Sequence, residues 1–324
     1  MRTYKFKMYP SSKLNTKLHN NLKSNRFLYN KLLEYMNDNE NVDKKQLSKY
    51  LTKLKSDTET EWLKNYYSKM LQPLVNRIFS SIKGLSKSKN NGNKVGRLRF
   101  KSSNRFTSFL YNQSGFKIIE TDNRYNKLHL SKIGDIHFKQ SRDIIGKIKQ
   151  VQIKLKPSGW YCYITTDGKY QVINKKNNRI GIDMGINNFL VTSDNKYIRN
   201  PLYLKQQLSK LQSLHKSISK KKKGSNNRKK AIFQLCKLME NISNKKNDFF
   251  HKLSTDLVQN NNFICIEDLN IKNIINKSDN KYKNHRNLLD SSWRKFIDML
   301  KIKVSCIFSN NHQYYLRYYN HLLI

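Results

Sequence analysis

Apolar and polar positions alternate through the opening residues "MRTYKFKMY", with Tyr4, Phe6 and Met8 on one side and Lys5 and Lys7 on the other. A period of two predicts a strand. The period changes at Pro10-Ser11-Ser12, a helix start, after which Leu14, Leu18 and Leu22 recur at helical spacing. Helical pattern continues through "RFLYNKLLEYM", "KKQLSKYLTKL" and "EWLKNYYSKMLQPLVNRIFSSIKGL". Residues 11–87 therefore read as a helical bundle inserted after one strand, with the Lys/Ser/Asn/Gly stretch from Ser86 to Gly96 as a linker or mobile basic loop.

Alternation returns at "RLRFKS" and is strongest in "KQVQIKLKPSGWYCYITTD". There Val151, Ile153 and Leu155 alternate with polar neighbours, Pro157-Ser158-Gly159 turns the chain, and "WYCYITT" comes back as a hairpin. Residues 98–178 are expected to form a β-barrel whose first strand is the amino terminus. From Arg179 the segments "RIGIDMG", "FLVTSD" and "KYIRN" predict a three-strand meander turning at Asp194-Asn195. A long helical region from Pro201 to Asn260, broken by "KKKKGSNNRKK", precedes the apolar strand "FICIEDL". A polar loop and the helix "SSWRKFIDMLKIK" follow, and the last residues show no clear period.

Composition narrows the partners. The 324 residues suffice for two or three domains with a sizeable core. Lys and Arg number 64 against 22 acids, a formal net charge of +42, with a pI near 10.1 and a mean hydropathy of -0.80. Such an excess repels itself and calls for a polyanion. Basic residues interleaved with Tyr, Phe and Trp suit nucleic acid better than a membrane surface. No run of eighteen apolar residues and no signal-peptide core is present, so a cytosolic chain is expected. Cys162, Cys236, Cys265 and Cys306 contain no CxxC pair, which suits reduced, mostly buried thiols and removes a zinc knuckle. No GxxxxGK[ST] sequence exists to support nucleotide hydrolysis.

Two acids stand out. Asp183 interrupts the apolar run "GIDMGINNFL", and Glu267 ends "FICIE". A three-strand meander with an acid in its first strand, a helical excursion, then an acid ending a fourth strand is an RNase H-like layout. Its phosphodiester chemistry needs strand-end carboxylates converging on two divalent ions about 4 Å apart. Mg²⁺ takes oxygen ligands and keeps several waters, so no histidine is needed. The spacing equally allows Asp183 to fix a tight turn before Gly185 and Glu267 to be a solvated strand end.

The wording around these acids says more. "RIGIDMGINNFLVTSD", "KNDFFHKLSTDLV", "FICIEDLNIKNI" and "SSWRKFIDMLKIK" resemble, in order, the TnpB/OrfB proteins encoded by bacterial insertion sequences. "YKFKMYPS", "NRFLYNKLLE", "EWLK", "RLRFKS", "SKIGDIHFK" and "GKIKQVQIKLKPSGWYCYI" extend the likeness over residues 1–303. The resemblance implies an α+β multidomain chain. A β-barrel wedge domain would span 1–10 and 97–178, a helical recognition domain and linker 11–96, and a RuvC-like domain of RNase H fold 179–303. It further implies a guide RNA, a double-stranded DNA target, and Asp183 and Glu267 as the first and second catalytic acids holding Mg²⁺ or Mn²⁺. A bacterial, nucleoid-associated location goes with it. Asp268, next in "EDL", reads as local structure.

The likeness then stops. The family continues into a zinc ribbon and a third aspartate, whereas here Cys306 stands alone and no Asp or Glu follows Asp298. Asp290 and Asp298 flank the Trp293 helix at positions that the family does not use for catalysis. Residues 304–324 are therefore expected to be an aberrant tail, zinc is not expected, and cleavage is expected to fail. The chain would then be a nuclease-dead guided binder, as a repressor or decayed transposon copy. A basic structural RNA-binding protein, a third possibility, does not account for the acid pair. Lys220, Lys221, Lys222 and Lys223 with Arg228, Lys229 and Lys230 are the expected backbone contacts for nucleic acid. His251 reads as packing or RNA-facing, and Trp62, Trp160 and Trp293 as core.

Overall fold

The computed structural model describes residues 1–122, 124–168, 178–185, 187–267, 292–307 and 315–319. The chain divides into two compact units, Met1–Gly168 and Lys169–Ile324.

The first unit opens with β1 (Arg2–Tyr9), whose inner residues Tyr4, Phe6 and Met8 are almost fully buried. α1 (Ser12–Asp38) starts where Ser11 accepts the Leu14 N–H, and buries Leu18, Leu22, Leu28, Tyr29, Leu32 and Leu33 in the same core. α2 (Lys44–Ser56) begins with a reciprocal cap: Asp43 accepts the Gln46 N–H at 2.6 Å and the Gln46 side chain accepts the Asp43 N–H at 2.8 Å. α3 (Ser68–Leu71) and α4 (Pro73–Asn90) follow, with Pro73 in the first turn of α4, where a missing N–H costs nothing. α4 runs to Asn90, five residues into the stretch expected as linker, and closes at Gly92, whose φ of +77° favours glycine.

The remaining strands are β2 (Ser108–Asn112), β3 (Phe116–Ile119), β4 (Asn126–Leu130), β5 (Gly134–Phe138), β6 (Ile148–Lys156) and β7 (Gly159–Thr166). They join β1 in a seven-stranded sheet ordered β2-β6-β7-β1-β5-β4-β3. β6 and β7 form the expected hairpin, closing at Lys156 opposite Gly159. Where the sequence predicts a barrel, the strand pairs give a sheet with β2 and β3 at its ends; no β2–β3 pair occurs among the described residues. "RLRFKS" is not a strand: Phe100 is 54% exposed, and the Lys101 backbone is bonded instead to the Asn30 side chain of α1. Trp62 also departs from expectation. It lies against Phe27 and Tyr66 but is 38% exposed, whereas Trp160 and Trp293 are buried.

In the second unit β8 (Arg179–Asp183), β9 (Asn188–Thr192) and β10 (Tyr197–Arg199) form the meander, turning at Asn195 with φ of +57°. α5 (Tyr203–Gln206), α6 (Leu208–Ser219) and α7 (Asn226–Asn260) lead to β11 (Phe263–Glu267). α8 (Trp293–Ile307) and β12 (Tyr315–Tyr319) complete it. The five-stranded sheet is ordered β10-β9-β8-β11-β12, with β8, β11 and β12 mutually parallel and β9 antiparallel to β8 and β10. Residues 304–324, given no element above, thus carry the end of α8 and an edge strand bonded to β11 along its full length. Phe189 anchors this core, with ring centroids 5.4 Å from Phe250 and 5.2 Å from Phe296. Full burial of such a ring is worth about 1.5–3 kcal/mol.

Of the thiols expected to be mostly buried, Cys162 is buried, Cys265 is half-buried and Cys236 on α7 is exposed. Asp268 and Asp290 lie outside the described residues.

Candidate functional site

The register of β8 and β11 builds the site. Phe263 pairs with Arg179, Ile264 with Ile180, Cys265 with Gly181 and Ile266 with Ile182. Ile180, Ile182, Ile264 and Ile266 turn into the core, so Asp183 and Glu267 share the opposite face. One step past the last pair, the two acids sit side by side at the carboxyl ends of neighbouring parallel strands, about 5 Å apart in backbone. Residues 84 positions apart in sequence are thus brought together by a strand pair, which no local pattern discloses.

Their surroundings differ. Asp183 is exposed, and its strand is held by Val191 across β9. Glu267 is 8% exposed, bracketed by β8 and by Tyr319 of β12. Asp183 interrupts an apolar run in the sequence, yet of the two acids it is Glu267 that the structure buries. β8 and β11 each have a neighbour on both sides, so the difference lies in what covers each strand end and not in the number of flanking strands. No cluster of three or more His, Cys, Asp or Glu occurs among the described residues. Asp298 is engaged elsewhere, 3.6 Å from Arg294 on the exposed side of α8.

The basic run occupies the joint between α6 and α7. Ser225 caps α7 by accepting the Arg228 N–H at 3.2 Å. Arg228 is committed to the backbone, donating through Nη1 to Ile218 O at 2.9 Å and Lys221 O at 3.1 Å. Lys221 Nζ donates to Ser217 Oγ at 2.6 Å. Lys220, Lys222, Lys223, Lys229 and Lys230 are exposed. Lys229 and Lys230 lie near the positive end of the α7 dipole, which is unfavourable by about 0.3–1 kcal/mol each and which a bound anion relieves, whereas Lys220 caps the carboxyl end of α6, where a cation is favoured. α7 has no acid in its first turn to do so.

Sequence reasoning missed Lys303. Its side chain is buried, and Nζ donates to His251 O at 2.6 Å, Ser254 Oγ at 2.7 Å and Thr255 Oγ1 at 2.5 Å, tying α8 to α7. Burial pushes its pKa down to about 8. No spacing signal marks a lysine at the end of an ordinary amphipathic helix as buried. His251 is exposed, so of the two readings given for it packing is the one that its position does not match.

Comparison with known proteins now adds to the geometry. Residues 160–278 match the OrfB_IS605 family, described as "Probable transposase", and residues 1–44 match its companion HTH_OrfB_IS605, described as a helix-turn-helix domain. In this chain the latter residues are β1, α1 and the first residue of α2. The first match covers the acid-bearing meander, the helical excursion and the strand that ends at Glu267, and it defines a protein of the transposase-associated class. The chain belongs to the TnpB/OrfB family.

InsQ of Escherichia coli (strain K12), whose name describes a candidate RNA-guided DNA endonuclease, is 26% identical over 282 residues, 85% of this chain and 67% of that protein. A Streptomyces pristinaespiralis protein of the same description is 25% identical over 311 residues, 93% of this chain and 74% of that one. Among solved structures, a Cas12f1–sgRNA–target DNA complex matches at a TM-score of 0.54 and 12% identity, covering 96% of this chain and 73% of that one. That likeness concerns the fold. No helix among the described residues is long and apolar enough to cross a membrane.

Proposed function

We propose that this chain is a guided nucleic-acid-binding protein of the RNA-guided DNA endonuclease lineage, taking a guide RNA and a double-stranded DNA target. In this reading the first unit supplies the wedge strands and helical recognition bundle, and the second is the RuvC-like domain. The strand order β10-β9-β8-β11-β12, three antiparallel strands followed by two parallel ones, supports that reading, since it is the order expected of an RNase H fold. The observation that carries the reading is the in-register placement of Asp183 and Glu267 at the ends of β8 and β11.

The pair fits one hard divalent cation. Both donors are carboxylate oxygens, one exposed for substrate access and one held nearly out of water. Mg²⁺ or Mn²⁺ bound there would supply charge to polarise a phosphodiester and its attacking water. A second ion 4 Å away repels the first by about 16 kcal/mol at an effective dielectric of 20. Two carboxylates do not offset that, so these 324 residues favour binding over cutting.

Calorimetric titration of Mn²⁺ into the full chain tests the site. Asp183→Asn should abolish binding while circular dichroism and RNA affinity stay unchanged. A variant that unfolds without any metal having bound the parent would make Asp183 a turn residue and end the proposal. Incubation with guide, target and Mg²⁺ should give no rapid cleavage. Robust cutting abolished by Asp183→Ala would overturn the two-carboxylate argument.

A further inference from the structure

Where β4 begins and β5 ends, a cleft of about 550 Å³ opens in the first unit, lined by Arg124, Asn126, Gln140, Ser141, Arg142 and Asp143. It lies in neither the acid pair nor the lysine joint. We propose that this cleft binds a single ribonucleotide of a single-stranded RNA, with Arg124 and Arg142 on its phosphodiester and Asp143 accepting its 2′-hydroxyl. The inference rests on the reading of the chain as an RNA binder and adds a place and a basis for sugar selection.

The chemistry of the walls narrows the ligand. Two guanidiniums and one carboxylate leave a net single positive charge, which matches one phosphodiester and disfavours the multiple charge of a terminal phosphate group. The guanidiniums are aimed by aromatic rings. Arg142 lies 5.7 Å from the centroids of both Tyr4 and Phe6, and Arg124 lies 5.8 Å from that of Tyr125. The amides are ordered too. Asn126 accepts the Thr121 N–H at 3.2 Å and donates through Nδ2 to Gln140 Oε1 at 3.0 Å, which leaves the Gln140 Nε2 hydrogens for a ligand acceptor. Beside the cleft Tyr9, 43% exposed, meets Tyr125 edge-on at 5.2 Å and offers a ring face to a base.

Asp143 decides between sugars. An ionised carboxylate only accepts hydrogen bonds, so next to two phosphate-seeking arginines it needs a ligand that also carries a donor. Deoxyribose has none at C2′; ribose does. On a DNA strand the same carboxylate would only repel.

Fluorescence anisotropy with the full chain tests this, using a labelled single-stranded RNA and the deoxy strand of equal sequence at one fixed salt concentration. Arg124→Ala with Arg142→Ala should weaken binding of both strands on the order of tenfold, as loss of charge-assisted hydrogen bonds does. Arg124→Ala alone, at an exposed turn position, should do so in part and guards against a folding defect in the pair. Asp143→Ala should lower the RNA-to-DNA affinity ratio on the order of tenfold, by weakening RNA while leaving or improving DNA. An unchanged ratio overturns the proposal, as does a shift in base preference with the sugar preference intact. A parent chain that binds no RNA removes the guided reading itself. A parent that binds RNA through unaffected arginine variants removes only the cleft.

Discussion

Lys303 shows how much a single side chain can carry without any trace in the pattern. Its three bonds all go to oxygens of α7, none of them a carboxylate, so the ammonium is satisfied geometrically but stripped of water. With its folded pKa near 8 against an ordinary value of 10.5, the unfolded chain holds more protons than the folded one between those values. Stability of the second unit should therefore rise as pH climbs from 8 toward 10.5, and the contribution is lost as pH falls through 8. Lys303→Met should remove that slope, read as the difference between parent and variant melting curves across pH 8 to 9.5. The acid pair is the contrasting case. The residue types and their strand-end positions were legible in "GIDMG" and "FICIED", because period-two alternation fixes where a strand stops. Which acid is buried was not, since alternation does not record what packs over a strand end. The exposed Trp62 is a similar miss: helical spacing records a face and not what covers it.

At the scale of the element, the α6–α7 joint separates residues that look identical in a charge run. Arg228 holds the end of α6 through two backbone carbonyls, whereas Lys222, Lys223 and Lys230 point to solvent. Arg228→Ala should destabilise the second unit by about 1–2 kcal/mol, leaving two carbonyls short of a donor, with little change in affinity for nucleic acid. Denaturant titration and binding assays on the same variant separate the two effects. Neutralising Lys222, Lys223 and Lys230 to Gln should do the reverse, lowering affinity evenly across sequences at constant stability. Equal losses in both assays from both variants would show that the run acts as one unit. Helices with caps or strong periodicity, such as α1, α2 and α7, were readable from sequence. "RLRFKS" was misread because its alternation is real but its hydrogen bonds go to Asn30, a partner 71 residues away.

For the whole molecule, each unit has its own apolar cluster. One is built from residues between Tyr4 and Ile164, the other from residues between Ile180 and Val304. Residues 1–168 produced alone should therefore unfold in one cooperative transition, and a non-cooperative melt would show that the first core depends on the rest of the chain. With a net charge of +42, RNA affinity should collapse with salt, by on the order of a thousandfold between 50 and 200 mM if six or more phosphates are contacted. A flat salt profile would mean that charge is not what holds the nucleic acid. The order of strands within each sheet was only partly legible. Alternation identifies a strand, but pairing across more than a hundred residues follows from packing that no window contains.

The central place of β1 sets a clock on synthesis. Its first residues pair with the last of β7, and Thr3 bonds Thr165, 162 positions later. At about 5–20 residues per second, a ribosome needs roughly ten to thirty seconds to deliver that partner. During that interval α1 to α4 can form from local contacts, but the inner face of β1 has nothing to close against on its β7 side. Chains that terminate before Gly159 are left with an open strand edge in the middle of the sheet, a form that proteases and chaperones select against.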